Sequence, residues 1–93
     1  MKARALLAWN LRRNCVKRAV SQERLAYDAE VDRSYVGGLE RQTENPTIDL
    51  LDRLAGTLGV PLSEFFLQPA KGAAIPKRLP KGRKASRPKP KKP

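Results

Sequence analysis

The side chains that could do chemistry in this chain are arginines, amides and hydroxyls between residues 22 and 45. An arginine carries a planar fork of N–H donors that matches two acceptors on a carboxylate, a phosphate or a guanine edge. The chain has no histidine and a single cysteine, Cys15. A Ser/His or Cys/His pair and a zinc cluster are therefore excluded. No cofactor, metal site or small-molecule substrate is predicted, and the residue types favour binding over catalysis.

Positive charge is concentrated at the C-terminal end of the chain. The last 26 residues contain ten of the 20 Lys and Arg residues and none of the nine Asp and Glu residues, so they hold nearly all of the formal charge of +11. Residues 68–93 are rich in Pro, Lys and Arg and offer little to bury, which predicts a disordered tail. Such a tail attracts polyanions, and composition alone leaves DNA, RNA and an anionic membrane surface open.

Hydrophobic periodicity and capping residues predict five helices and no strand in residues 1–67, which form one domain ahead of the tail. The first helix runs from about Ala5 to Lys17 and carries an apolar stripe. The fourth is capped by Thr47 and closed by Gly59, and a short fifth helix spans Pro61 to Leu67. The predicted fold class is therefore all-α.

Two short helices joined by a tight turn are predicted in the middle of this domain. Ser21 and Asp32 are good N-cap residues, and a valine that can form a hydrophobic staple precedes each of them. The first cap begins a helix that reaches Asp28, and the second begins a helix from Arg33 to about Arg41. This arrangement is typical of a helix-turn-helix motif.

The segment from Leu11 to Phe66 resembles the Cro/C1-type (XRE-family) helix-turn-helix proteins, which include phage repressors and small bacterial regulators. The resemblance rests on the runs Ser21–Ala26, Val31–Val36, Leu39–Arg41, Asn45–Thr47 and Leu54–Val60. It implies a lambda-repressor-like bundle of five helices that binds operator DNA as a homodimer. It also implies a cytoplasmic protein associated with the bacterial nucleoid.

The resemblance implies that the third helix enters the major groove of double-stranded DNA while neighbouring residues hold phosphates. The candidate DNA-binding residues are Gln22, Arg33, Ser34, Tyr35, Gly37, Gly38, Arg41, Thr43 and Asn45. Gln22 and the free N–H groups at the start of the second helix are expected to hold a phosphate. Arg33 is expected to bind O6 and N7 of a guanine.

Several of these assignments have a structural alternative. Gln22 could be an ordinary residue of the first turn of its helix. Arg33 and Arg41 could be solvated surface, and Tyr35 could be partly buried. Two adjacent glycines cost a helix about 1 kcal/mol each relative to alanine. We expect Gly37 and Gly38 to face outward, where they would let the helix approach DNA closely, but they could equally be a tolerated weakness.

The chain departs from the family pattern at three positions where glycine is usual, namely Ala19, Glu30 and Gln42. A left-handed backbone at such a residue costs about 1 kcal/mol or more. Glu40 has also lost its usual arginine partner in the first helix, and Arg12 or Arg18 is expected to replace it.

The predicted function is sequence-specific, DNA-binding regulation of transcription, with repression favoured over activation. Two alternatives remain open at this point. One is an antitoxin-like protein-interaction module, and the other is a nucleoid-type binder with little sequence preference. Neither enzyme activity nor a membrane partner is predicted.

Overall fold

The computed structural model describes residues 2–70. It contains four α-helices and a terminal 3-10 helix, which are α1 (Ala3–Lys17), α2 (Gln22–Ala29), α3 (Arg33–Glu40), α4 (Ile48–Leu58) and the 3-10 helix Leu62–Phe66. The described part of the chain is all-helical, as predicted. None of its helices is both long and apolar enough to cross a membrane.

The prediction of five helices is confirmed only in part, because the fifth element is a 3-10 helix. It spans five residues between Pro61 and Leu67, both of which have extended backbone. A segment this short gains little from α-helical hydrogen bonds, and 3-10 geometry is common in pieces of this length. Most of the predicted tail, residues 71–93, lies outside the described residues.

The core lies where the five elements meet. α1 packs against α3 and the 3-10 helix, while α2 packs against α3 and α4. Each element contributes at least one fully buried apolar side chain, and these include Leu11, Leu25, Val36, Leu54 and Phe65. Burying a side chain of this size stabilises the fold by about 1.5–3 kcal/mol. The bundle therefore depends on all five elements, including the short last one.

The 3-10 helix is also fastened to α1 by a polar group that the sequence analysis did not single out. Asn10 is fully buried, and its Nδ2 donates to the carbonyl oxygens of Phe65 at 3.1 Å and Leu67 at 2.9 Å. Arg13 donates to Oδ1 of the same amide and pairs with Glu64 at 3.0 Å. A buried amide is costly unless its hydrogen bonds are satisfied, so these contacts fix the position of the segment.

The predicted caps begin three of the helices. The Ser21 hydroxyl accepts from the N–H of Arg24, and the Thr47 hydroxyl accepts from that of Leu50, each at 3.1 Å. The Asp32 carboxylate accepts from the N–H of Ser34 at 3.4 Å. Each bond satisfies one of the N–H groups that a helix start leaves without an intrahelical partner.

All four α-helices end in the same way. A backbone N–H beyond each helix bonds to a carbonyl oxygen five residues earlier, as in Val31 to Ala26 and Thr43 to Gly38, both at 2.9 Å. This Schellman arrangement needs a left-handed residue just before the donor. Those residues are Ala19 (φ 56°), Glu30 (φ 59°), Gln42 (φ 66°) and Gly59 (φ 74°). Three of the four turns are thus made without glycine, at the positions where the sequence departs from the family pattern.

Glu40 has found a substitute partner in Arg12, one of the two residues expected for this role. Arg12 donates from Nη2 at 3.1 Å and Nε at 3.2 Å to a carboxylate whose side chain is 2% exposed. The pair links α1 to α3 on the core side of the helix-turn-helix motif.

Burial, followed by the charge of Glu40, raises the pKa of Cys15 to about 12. The Cys15 thiol is therefore a neutral core group near neutral pH.

Replacing the left-handed Glu30 by glycine should stabilise the protein. Glycine relieves about 1–2 kcal/mol of backbone strain but costs about 0.5–1 kcal/mol of entropy. We expect Glu30→Gly to raise the free energy of unfolding by about 0.5–1 kcal/mol, measured by urea denaturation. Glu30→Ala removes the same charge but keeps the Cβ, so an equal gain in that variant would contradict the strain explanation.

Candidate nucleic-acid interface

The α2–turn–α3 unit has one buried and one exposed side. Leu25 and Ala26 of α2 pack into the core, as do Val36 and Leu39 of α3. Residues 36–40 of α3 are buried, whereas the first two residues of the helix and the residue that follows it are exposed. The exposed side of this unit carries Arg33, Ser34 and Arg41. It is the candidate interface, and it lies opposite the core.

The side chains at the start of α3 are already held by carboxylates. Nη1 of Arg33 lies 3.2 Å from Oε2 of Glu23 in α2, and the Arg33 side chain remains 61% exposed. The Ser34 hydroxyl donates to Asp32 at 2.8 Å. The hydrogen bonds from Ser34, aided by the Arg33 charge, lower the pKa of Asp32 below its usual value. The first turn of α3 is therefore ordered before any ligand arrives.

Gln22 and Arg41 converge on Gly37, a contact that the sequence did not reveal. A Cβ at Gly37 would lie 3.0 Å from Nη1 of Arg41 and 3.7 Å from Oε1 of Gln22. The Gln22 Nε2 atom is buried and has no hydrogen-bond partner among the described residues. An unsatisfied buried donor is costly, so a rotation of this side chain that brings Nε2 to an external acceptor would be favoured.

Gly37 and Gly38 were predicted to be exposed on the outer side of α3, but both residues are buried because other parts of the chain cover them. Gly37 lies beneath the Arg41 side chain, and Gly38 lies beneath the loop that follows α3. A Cβ at Gly38 would stand only 2.6 Å from Cγ of Glu44. The Thr43 hydroxyl donates to the Gly38 carbonyl at 3.2 Å. Gly38 therefore accommodates the chain's own loop, and the periodicity could not show this because the loop returns over the helix.

A family model described as helix-turn-helix matches residues 11–65, more than half of the chain. The chain belongs to the helix-turn-helix family. This match confirms the resemblance drawn from the capped pair of helices, and the geometry of α2, the turn and α3 agrees with it.

Solved structures share this helix-turn-helix fold. The crystal structure of a hypothetical transcription factor from Neisseria superposes with a TM-score of 0.72 at 36% identity, covering 75% of this chain and 80% of that one. The controller protein C.Esp1396I, solved as a tetramer in complex with its natural 35-base-pair operator, gives a TM-score of 0.65 at 29% identity. That match covers 71% of this chain and 87% of the controller chain.

Curated relatives are longer than the shared helix-turn-helix region. A hypothetical transcription factor of Neisseria meningitidis serogroup B is 38% identical over 66 residues, which are 71% of this chain and 62% of that protein. The immunity repressor of Bacillus phage phi105 is 38% identical over 47 residues, which are 50% of this chain and 33% of the repressor. The chain thus spans less than two thirds of either relative.

The remaining candidates of this helix-turn-helix protein lie around α3. Tyr35 is partly buried against the core, which fits the structural alternative considered for it. Thr43 and Asn45 are exposed in the loop after α3. A DNA-binding role for each of these residues stays a prediction. The sequence analysis did not single out Glu23, the acidic residue in the first turn of α2.

The two glycines of α3 should respond in opposite ways to alanine. The nearest atom to a Cβ at Gly37 is the mobile tip of Arg41, which can move aside. We expect Gly37→Ala to raise the free energy of unfolding by up to about 1 kcal/mol through helix propensity. Gly38→Ala should lower it by about 1–2 kcal/mol, because the Glu44 loop must shift. Thermal and urea denaturation test the pair, and equal effects would refute the assigned packing.

Proposed function

We propose that this protein is a regulator of transcription that binds one operator half-site through α3. The observation that carries the proposal is the exposed side of α2–turn–α3, where Arg33, Ser34 and Arg41 stand opposite the buried core. Membership of the helix-turn-helix family supports it. So does the likeness to C.Esp1396I, whose structure includes its operator DNA. DNA binding of this kind requires no catalytic group.

Recognition would divide between bases and phosphates. Arg33, the first residue of α3, would enter the major groove and donate two hydrogen bonds to a guanine, worth about 1–3 kcal/mol of discrimination. The N-terminus of α2 would hold a phosphate, together with the Gln22 amide after its side chain rotates to bring the unpaired, buried Nε2 outward. Thr43 and Asn45 would hold the backbone further along, because both are exposed in the following loop.

The glycines would contribute indirectly. Gly37 allows Gln22 and Arg41 to share one position, and Gly38 lets the Thr43 loop close over α3. Both would set the positions of phosphate-binding groups rather than contact DNA themselves. Tyr35, which is partly buried, would reach DNA only with its hydroxyl end.

A homodimer follows from the size of the reading element. α3 has eight residues, and a single short helix reads too few base pairs to find one site in a genome. Two copies on neighbouring half-sites double the sequence that is read. Repression is the proposed outcome, because a dimer on an operator excludes other proteins from the same DNA. The partial likeness to the phage phi105 immunity repressor supports this direction.

The basic tail would add affinity without sequence choice. Residues 68–93 carry ten cationic side chains and no acidic one. Cations near DNA release condensed counterions, which strengthens binding to every sequence and makes it depend steeply on salt. The tail would also hold the protein on bulk chromosomal DNA in the cytoplasm between operator encounters.

Arg33→Ala tests the reading role directly. We expect this variant to lose about tenfold or more in preference for one base position, because a bidentate guanine contact disappears. Its affinity for nonspecific DNA should fall only slightly. Operators selected from random DNA with the full-length protein supply the probe, and footprinting shows whether half-sites are protected. Uniform coverage without half-sites would favour a nucleoid-type binder instead.

Removing residues 69–93 should weaken binding to all DNA sequences. It should also flatten the dependence of affinity on salt concentration, because each lost phosphate contact lowers the slope of log affinity against log salt concentration by about one. Titrations at several salt concentrations measure both effects. The ratio of operator to nonspecific affinity should stay nearly constant. A truncated protein that lost operator preference but kept its salt slope would disprove this division of labour.

A further inference from the structure

Arg33 is held by a neighbouring helix rather than left free in solvent. Its Nη1 donates to Oε2 of Glu23 at 3.2 Å, which links the first turn of α2 to the first residue of α3. The Glu23 side chain is 33% exposed and that of Arg33 is 61% exposed. An exposed pair of this kind contributes little to the stability of the fold. Because the pair lies at the candidate interface, it is available for a role in binding.

Two other carboxylates of the α2–turn–α3 unit are already engaged. Asp28 accepts from Nε of Arg24 at 2.9 Å on the outer side of α2. Asp32 accepts from both the N–H and the hydroxyl of Ser34. Among residues 2–70, Glu23 is therefore the carboxylate that pairs with Arg33.

The pair leaves the base-reading edge of the arginine available. A guanidinium has five N–H donors, and Glu23 takes its hydrogen bond from Nη1 alone. Nε and Nη2 form a second fork that no other described residue occupies, and two parallel donors are what guanine O6 and N7 accept. Arg33 can therefore bind Glu23 and a guanine simultaneously.

We propose that Glu23 is a positioning residue for base recognition, so that the pair Glu23–Arg33, rather than Arg33 alone, determines specificity. This inference rests on the proposed function. Glu23 fixes the direction in which the free fork points, so less conformational entropy is lost when the guanine bonds form. It also balances the arginine charge, which weakens capture of Arg33 by phosphates on the wrong sequence.

Three single variants test the proposal in the full-length protein. Glu23→Ala removes both the negative charge and the hydrogen-bond acceptor. Glu23→Gln removes the same charge but keeps a weaker amide acceptor. Asp28→Asn is the matched control, because it also removes a carboxylate paired with an arginine of α2 but leaves Arg33 untouched. Affinities are measured for the selected operator and for operators with the Arg33-dependent guanine replaced, alongside thermal stability.

We expect Glu23→Ala to reduce discrimination at that guanine by about two- to fivefold, the range typical of an exposed ion pair. Glu23→Gln should lose less, and Asp28→Asn should leave discrimination unchanged. In an Arg33→Ala background, Glu23→Ala should cause no further loss at the same base. A purely structural role for Glu23 would not produce this base-specific dependence on Arg33.

The proposal is overturned if both Glu23 variants shift affinity equally on every sequence, as Asp28→Asn would, because Glu23 would then act only as a charge. It is also overturned if Glu23→Ala lowers discrimination as much without Arg33 as with it. If Arg33→Ala itself loses no base preference, the proposed function fails together with this inference. A normal Arg33→Ala effect with silent Glu23 variants refutes this inference alone.

Discussion

The candidate interface depends on the left-handed turn at Glu30. The Val31 N–H bonds to the Ala26 carbonyl across this turn, and the bond ends α2 and sets the direction in which α3 begins. Asp32 then caps α3 one residue further on. Because the turn is so short, it restricts the angle at which the two helices can cross. That angle sets the position of every exposed side chain of α3. The fold accepts strain at a non-glycine residue to obtain this geometry.

Two ion pairs hold α3 from opposite sides. Arg12 reaches Glu40 from α1 in the interior, where the carboxylate is almost fully buried. Glu23 reaches Arg33 from α2 on the exposed side. The interior pair carries the larger stability consequence, because losing one partner would leave a buried charge uncompensated. The exposed pair contributes little to stability, which leaves it free to serve recognition.

The region around α3 illustrates how one helix can serve packing and binding together. The loop carrying Thr43 and Glu44 packs against Gly38 where a side chain would otherwise lie, and Arg41 packs against Gly37 in the same way. The Gln22 amide, crowded into the same region, keeps an unsatisfied donor. The two glycines lower the helix propensity of α3, but they allow neighbouring side chains and the following loop to approach the helix closely. This close approach places polar groups around the exposed side.

The sequence by itself determined the helices, the caps at Ser21, Asp32 and Thr47, and the three turns that lack glycine, because these features depend on interactions within a few residues. The tertiary structure alone decided that the α3 glycines are buried, that the last helix is a 3-10 turn held by Asn10, and that Glu23 binds Arg33. The Asn10 and Glu23 contacts join residues ten or more positions apart. Gly37 is covered by Arg41 and by Gln22 of α2, and Gly38 is covered by the loop that returns over α3. Whether these contacts form depends on crossing angles and loop paths, which no local pattern specifies.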